Sequence, residues 1–278
     1  MTTKPLRILS LGAGVQSTTL LHMMIAGEIE RADHVIFADT GWEPKPVYEH
    51  LAKLETLMIK HNMEFHKVTV GNIREDALNP TKRFASMPLY MMKEDGTKGM
   101  VRRQCTNEYK IQPLLKLQRQ LVGLPKGGRS KEHLATTIIG ISWDETQRIR
   151  DAAFSWLRNE YPLVDKKITR QMCLDWCAEH ELDLPPRSAC IGCPFKSDYE
   201  WRLLRDTMPE EWNDAVDFDY AIRDQLTKSV RFHSIPYLHK SAVPLDKVDL
   251  RTAKEKGQYG LFDDDEPFNQ ECEGMCGI

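Results

Sequence analysis

Between Leu6 and Val70 the chain alternates short apolar runs with longer amphipathic ones, and few folds accommodate that rhythm. Four runs read as strands buried on both faces: LRILSL (Leu6–Leu11), HVIFA (His34–Ala38), EFHKVTV (Glu64–Val70) and ATTIIGI (Ala135–Ile141). Strands flanked by helices on both sides lose the in–out alternation of a half-exposed sheet and become continuously apolar. Helical patterns separate the first three. Thr18–Ala26 keeps its apolar positions on one face, and Pro44–His61 opens with proline in its first turn. Strand, helix, strand, helix, strand with right-handed crossovers predicts an α/β fold, a doubly wound and mostly parallel sheet. Ligands of such sheets bind at the carboxyl ends of the strands.

The rhythm breaks at residues 79–103, where Pro80, Pro88, Gly96 and Gly99 mark a long excursion from the core. A helix is expected at Thr106–Leu121. Beyond Ser142 the texture turns polar and helical, with patterns at Ile168–Leu182, Asp198–Thr207 and Pro209–Leu226. The expected organisation is therefore a core over residues 1–142, excursion included, and an α-rich C-terminal region over 143–278. An apolar fraction of 41% supports a real core, and no stretch approaches the roughly 20 apolar residues of a membrane span. The segment before the first strand is too short for a signal peptide, so a cytoplasmic setting without membrane association is expected. The net charge of −3 hides a split: residues 263–278 carry six acids and no base, whereas Arg102–Lys131 holds eight bases against Glu108 alone. That basic stretch suits a phosphate-bearing ligand, and equally a solvated helix and loop.

The first strand runs into Gly12, Ala13, Gly14, Val15, Gln16 and Ser17, with Thr18 following in the helix. Small residues at a strand-to-helix turn let backbone N–H groups approach an anion, and the helix dipole favours negative charge there. The lysine of an ordinary phosphate-binding loop is missing. Polar groups gather at two other strand ends: Asp39, Thr40 and Glu43 after the second strand, and Asp144, Glu145 and Arg148 after the fourth. Acids and hydroxyls around an anion cradle point to a nucleotide with Mg²⁺.

Together the glycine turn, ADTGWE, RRQCTNEYKIQP and GISWDETQRIR resemble the PAPS reductase-like branch of the N-type ATP pyrophosphatases, the adenine nucleotide alpha hydrolases. The resemblance spans Leu6–Phe195. It implies a loop of the SGGxDS kind holding the phosphates of ATP or a related adenylyl nucleotide. Gly12, Ala13, Gly14 and Ser17 fall on that motif, and Gln16 stands where the family has Asp, which removes a carboxylate from the loop. The expected nucleotide contacts are Gly12, Gly14, Gln16, Ser17, Thr18, Asp39, Thr40 and Glu43, with Arg102, Arg103 and Lys110 clamping a phosphate or sulfate. Asp39, Asp144, Glu145, Arg148 and Cys105 are the expected catalytic groups. Cys105 gains from an expected helix N-terminus beside it, capped by Thr106, since that position favours the thiolate.

Seven cysteines without a secretion signal do not read as a disulfide framework. Cys190 and Cys193 form CIGC, and Cys272 and Cys276 form CEGMC; two such pairs make a Cys₄ site for Zn²⁺ or a [4Fe–4S] cluster. A cluster held by Cys105, Cys190, Cys193 and one tail cysteine is the variant. Cys173 and Cys177 are four apart on a helix and read as structural. Several members of the superfamily carry iron–sulfur clusters. The leading functional expectation is an ATP-dependent enzyme that adenylylates or sulfur-modifies a second substrate, left open between tRNA, DNA and a small molecule. The alternatives are a sulfonucleotide reductase using a tail cysteine, and a nucleotide- or nucleic-acid-binding protein without catalysis.

Overall fold

The computed structural model describes residues 4–82, 87–227, 234–252 and 255–256. They form two compact units: one comprises the residues up to Val70 together with Thr106–Ser188, the other Gly71–Cys105 with the described residues from Ala189 onward. The packing thus divides the chain differently from a boundary at Ser142. The excursion belongs with the later helices, and the parallel sheet gains a strand after residue 142.

In the first unit the sheet has the order β3-β2-β1-β6-β7, all parallel. Its strands are β1 (Leu6–Leu11), β2 (His34–Asp39), β3 (Glu64–Thr69), β6 (Ala135–Ile139) and β7 (Leu157–Glu160). The helices are α1 (Val15–Ala26), α2 (Lys45–Lys60), α4 (Gln112–Leu121), α5 (Pro162–Asp165) and α6 (Arg170–Glu179). Helices cover both faces. Leu9, Leu11, Val35, Phe37 and Ile138 pack with α1, α2 and Cys173 of α6, while Ile8, Ile36 and Ala135 pack with Leu114 of α4 and Trp156. Each fully buried Leu, Ile or Phe contributes about 1.5–3 kcal/mol. α2 buries Val47, His50, Leu51, Leu54 and Met58, a stripe at helical spacing, and α1 stops at Gly27, whose φ of 81° fits the left-handed cap.

β1 lies at the centre, paired with β2 on one side and β6 on the other. The chain leaves β1 toward β2 and leaves β6 toward β7, in opposite directions across the sheet. A reversal of this kind opens a crevice at the carboxyl ends of the two strands, where ligands of open α/β sheets bind.

The second unit carries α3 (Ile73–Leu78), an antiparallel sheet of β4 (Tyr90–Lys93), β5 (Lys98–Met100) and β8 (Ser234–Tyr237) in the order β5-β4-β8, and helices α7 (Asp198–Thr207) and α8 (Pro209–Thr227). The excursion thus contains a hairpin instead of loop alone. α7 begins with a reciprocal capping box between Ser197 and Glu200. Fully buried Asp219 of α8 accepts the backbone N–H groups of Leu238 and Leu245 at 2.9 Å each and pairs with Arg223. Among the described residues no helix is long and apolar enough to cross a membrane.

Candidate functional site

The turn after β1 is tighter than its glycines require. Ala13 takes φ +58°, a left-handed conformation costing a non-glycine residue about 1–2 kcal/mol. The Ser17 hydroxyl accepts the Gly12 N–H at 3.1 Å, and the Thr18 N–H donates to the Gly14 carbonyl at 3.0 Å, closing the first turn of α1. Gly14 has no side chain with which to cap the helix, and no side-chain cap is made there. Gly140, just past β6, lies against this turn: a Cβ there would sit 2.9 Å from the Ser17 nitrogen and 3.1 Å from its Cα. Only glycine fits, because the obstacle is backbone.

Gln16 is fully buried and joins the turn to the segment after β6. Its amide Nε2 donates to Glu145 Oε2 at 3.0 Å and lies 3.4 Å from Ser142 Oγ, while Arg148 Nη1 donates to Glu145 Oε1 at 2.6 Å. Burial pushes the Glu145 carboxyl up despite the opposing Arg148. Gln16 Oε1 is buried without a hydrogen-bond partner among the described residues. Where the resembled family carries Asp, this chain has an amide that hydrogen-bonds the neighbouring carboxylate.

The end of β2 forms a second cluster. Asp39 Oδ1 accepts from the Gly41 N–H and the Tyr48 hydroxyl, each at 2.8 Å, and Oδ2 pairs with Lys67 Nζ at 2.8 Å. Burial pushes the Asp39 carboxyl up, but the bonds from Lys67, Gly41 and Tyr48 outweigh it and hold the group below its ordinary range. Tyr48 is raised by burial and by its bond to Asp39. The Thr40 hydroxyl donates to Glu43 Oε1 at 3.3 Å, and buried Lys110 approaches the same oxygen at 3.5 Å. Lys110 projects from a π-helical turn at Asn107–Ile111, an irregularity often found at functional sites. Thr106 has helical backbone angles and makes no side-chain cap there, contrary to its expected capping role.

Two other expected site residues brace helices instead. Thr18 Oγ1 lies 3.0 Å from His50 Nε2, tying α1 to α2, and burial with the nearby His22 and Lys53 charges lowers His50 to about 4. Exposed Asp144 accepts the Arg170 N–H at 3.0 Å and braces the start of α6. The structure therefore joins Gln16 with Glu145 and Arg148, and separately Thr40 and Glu43 with Lys110. Asp39 stands with two residues that the sequence motifs did not single out, Tyr48 and Lys67.

Arg102, Arg103, Cys105, Cys190 and Cys193 belong to the second unit. The Arg103 guanidinium lies 5.5 Å from the Phe195 ring centroid. The Cys193 N–H donates to the Cys190 carbonyl at 3.0 Å, which also accepts Lys196 Nζ at 3.0 Å, so CIGC is a tight, cation-braced turn. Cys105, Cys190 and Cys193 are half-buried and form no disulfide among the described residues; Cys272 and Cys276 lie outside the described residues. Cys173 and Cys177 are fully buried between α6 and α1, as a structural role requires, and burial raises the Cys177 thiol. Among the described residues one trio brings three metal-ligating atoms within 4.8 Å of one another: His34, Glu64 and His66.

No protein-family model matches the chain, and no curated protein shows significant similarity to it. Sequence reasoning missed Gly140, Ser142, Tyr48, His50 and Lys67. Lys67 carried a signal, since it stands in the strand whose register places Thr69, two residues on, opposite Asp39.

Proposed function

We propose that the chain is an adenine-nucleotide-dependent enzyme that holds the nucleotide phosphates at the Gly12–Ser17 turn and activates or sulfur-modifies a second substrate. The observation that carries this reading is the position of the turn. It lies at the β1/β6 reversal, offers the N-terminal N–H groups of a 12-residue helix, and is flanked by polar clusters from β2 and from the segment after β6. Those N–H groups would stabilise charge growing on the phosphates. The unpartnered Gln16 Oε1 would accept a donor from the ligand. Lys110 and Arg148 bring positive charge on the β2 and β6 flanks, each at present answered by a carboxylate.

The residues fit a nucleotide better than a free cation. Lys67 pairs with Asp39 and Arg148 pairs with Glu145, so each carboxylate already has a cation where Mg²⁺ would bind. The thiols of Cys105, Cys190 and Cys193, with Cys272 and Cys276 of the tail, have the soft-donor chemistry that Zn²⁺ or an iron–sulfur cluster requires, and a cluster would supply redox or sulfur-transfer chemistry. The second substrate would be tRNA, DNA or a small molecule.

Gln16 favours a second reading, nucleotide binding without turnover, because its amide replaces a carboxylate beside Glu145. Calorimetric titration with ATP, followed by a pyrophosphate-release assay with and without RNA or DNA, separates the two. ATP binding is expected in the wild type and at least tenfold weaker affinity in Gly14→Val. Folded wild-type protein that ignores ATP, ADP and adenylyl sulfates would sink both readings. Binding without pyrophosphate or sulfite release would select the second.

A further inference from the structure

The amino ends of β2 and β3 hold a group that the nucleotide reading does not use. His34 opens β2, Glu64 opens β3, and the two are direct register partners; His66 follows two residues later, on the same face of β3 as Glu64. His34 Nδ1 lies 3.2 Å from His66 Nε2 and 3.4 Å from Glu64 Oε2, and His66 Nε2 lies 3.4 Å from Glu64 Oε1. Two ring nitrogens and one carboxylate therefore converge on a single point.

Hydrogen bonding explains this arrangement poorly. At most one proton fits between two nitrogens 3.2 Å apart, and charge-assisted bonds to a carboxylate favour about 2.7–2.9 Å, well short of the two 3.4 Å separations. Metal coordination explains it well. Zinc bonds of about 2.0–2.1 Å to imidazole and 2.0–2.2 Å to carboxylate, at tetrahedral angles, place ligand atoms about 3.3–3.5 Å apart. The two ring nitrogens, and the nearer carboxylate oxygen to each (Oε2 for His34, Oε1 for His66), stand 3.2–3.4 Å apart, and one ligand atom from each residue lies within 4.8 Å of the others. The side chains of His34 and His66 are 12% and 22% exposed, whereas that of Glu64 is 63% exposed, which leaves the fourth position to water.

We infer that His34, Glu64 and His66 form a divalent transition-metal site of the zinc class, a cross-strand clasp that fastens the edge strand β3 to β2. The imidazole-rich set selects zinc, copper or nickel over magnesium or calcium. Among the described residues β3 has a neighbour on one side only, so a bond across its first residues protects the part of the sheet most open to fraying. Five residues of strand, about 17 Å, separate His34 from Asp39 at the other end of β2. The clasp is thus independent of the nucleotide turn, and either proposal can fail alone.

The test uses the full chain, stripped with chelator and titrated with Zn²⁺, reading bound equivalents and the thermal midpoint. His66→Gln and His34→Asn should each bind one equivalent fewer than wild type and lose the Zn²⁺-dependent rise in midpoint. The variant with Cys190, Cys193, Cys272 and Cys276 all changed to Ser should keep both. Equal stoichiometry and equal rise in wild type and the histidine variants would overturn the site. Should those variants fold poorly by circular dichroism, Co²⁺ added to the cysteine variant decides: tetrahedral d–d bands support the clasp, and their absence overturns it.

Discussion

Asp39 and Glu145 close opposite flanks of the same crevice, each neutralised by one cation, yet they respond to their surroundings in opposite ways. Glu145 and Arg148 are both buried, with side chains 5% and 9% exposed, and burial wins, raising the carboxyl. Asp39 is also buried, but Lys67 is 47% exposed and three donors converge on the carboxylate, so hydrogen bonding wins and the group is lowered. Glu145 is thus held in a fixed network with Gln16, whereas Asp39 is covered by a lysine free to swing into water. Of the two, Asp39 is the carboxylate that an arriving ligand can uncover at low cost.

The largest effect should follow from breaking the fixed pair. Arg148→Met leaves Glu145 buried without its cation and should cost about 3–5 kcal/mol of stability by denaturant unfolding. A loss below about 1 kcal/mol would mean that the pair is no more tightly held than a surface one. Next comes Gln16→Glu, which replaces the amide donor with a second carboxylate 3.0 Å from Glu145. Two carboxylates sharing a site cannot both ionise readily, so about 1.5–3 kcal/mol should be lost at neutral pH and regained on acidification. Added Mg²⁺ should also restore it, since the pair recreates an acidic site. Stability independent of both pH and Mg²⁺ would show that the side chain had moved away.

The smallest effect belongs to Lys67→Met, about 1 kcal/mol or less because the lysine is half in water. Its diagnostic is the acid limb. Lowered below its ordinary 3.8, Asp39 adds stability that is complete above that value and lost as pH falls through the folded-state pKa. Raised above 4.5, Glu145 acts oppositely, favouring the fold on acidification and opposing it as pH rises through its folded-state pKa. Removing Lys67 should shrink the Asp39 contribution, and stability should then fall less between pH 5 and pH 2 than in wild type. An unchanged acid limb would assign the lowering to Gly41 and Tyr48 alone.

Much of the parallel sheet was legible because buried strands announce themselves. β1 occupies the predicted Leu6–Leu11, and β2 and β6 begin where their apolar runs begin; β3 begins at Glu64 as expected, but as an edge strand it has no buried residue, contrary to the expected burial on both faces. β7 was not legible: LRNE is an edge strand with one buried residue and no apolar run to mark it. The β4–β5 hairpin hid among prolines and glycines for a similar reason, since β5 is three residues long and fully exposed. At the crevice, sequence motifs named Gln16, Glu145 and Arg148 individually, but their bonding depends on β1 lying beside β6, a contact across more than a hundred positions. His34 and His66 looked like ordinary strand residues until register set His34 opposite Glu64, two residues before His66.

Gly140 bears on how the crevice moves. With only a hydrogen between its Cα and the Ser17 backbone, the end of β6 and the start of α1 have no cushion of side chain to absorb a shift. Any ligand that rotates α1 by a few tenths of an ångström must therefore push Gly140, and with it Ser142 and Glu145, within the same motion. A methyl group at that point would act as a wedge, holding the jaws apart before a ligand arrived.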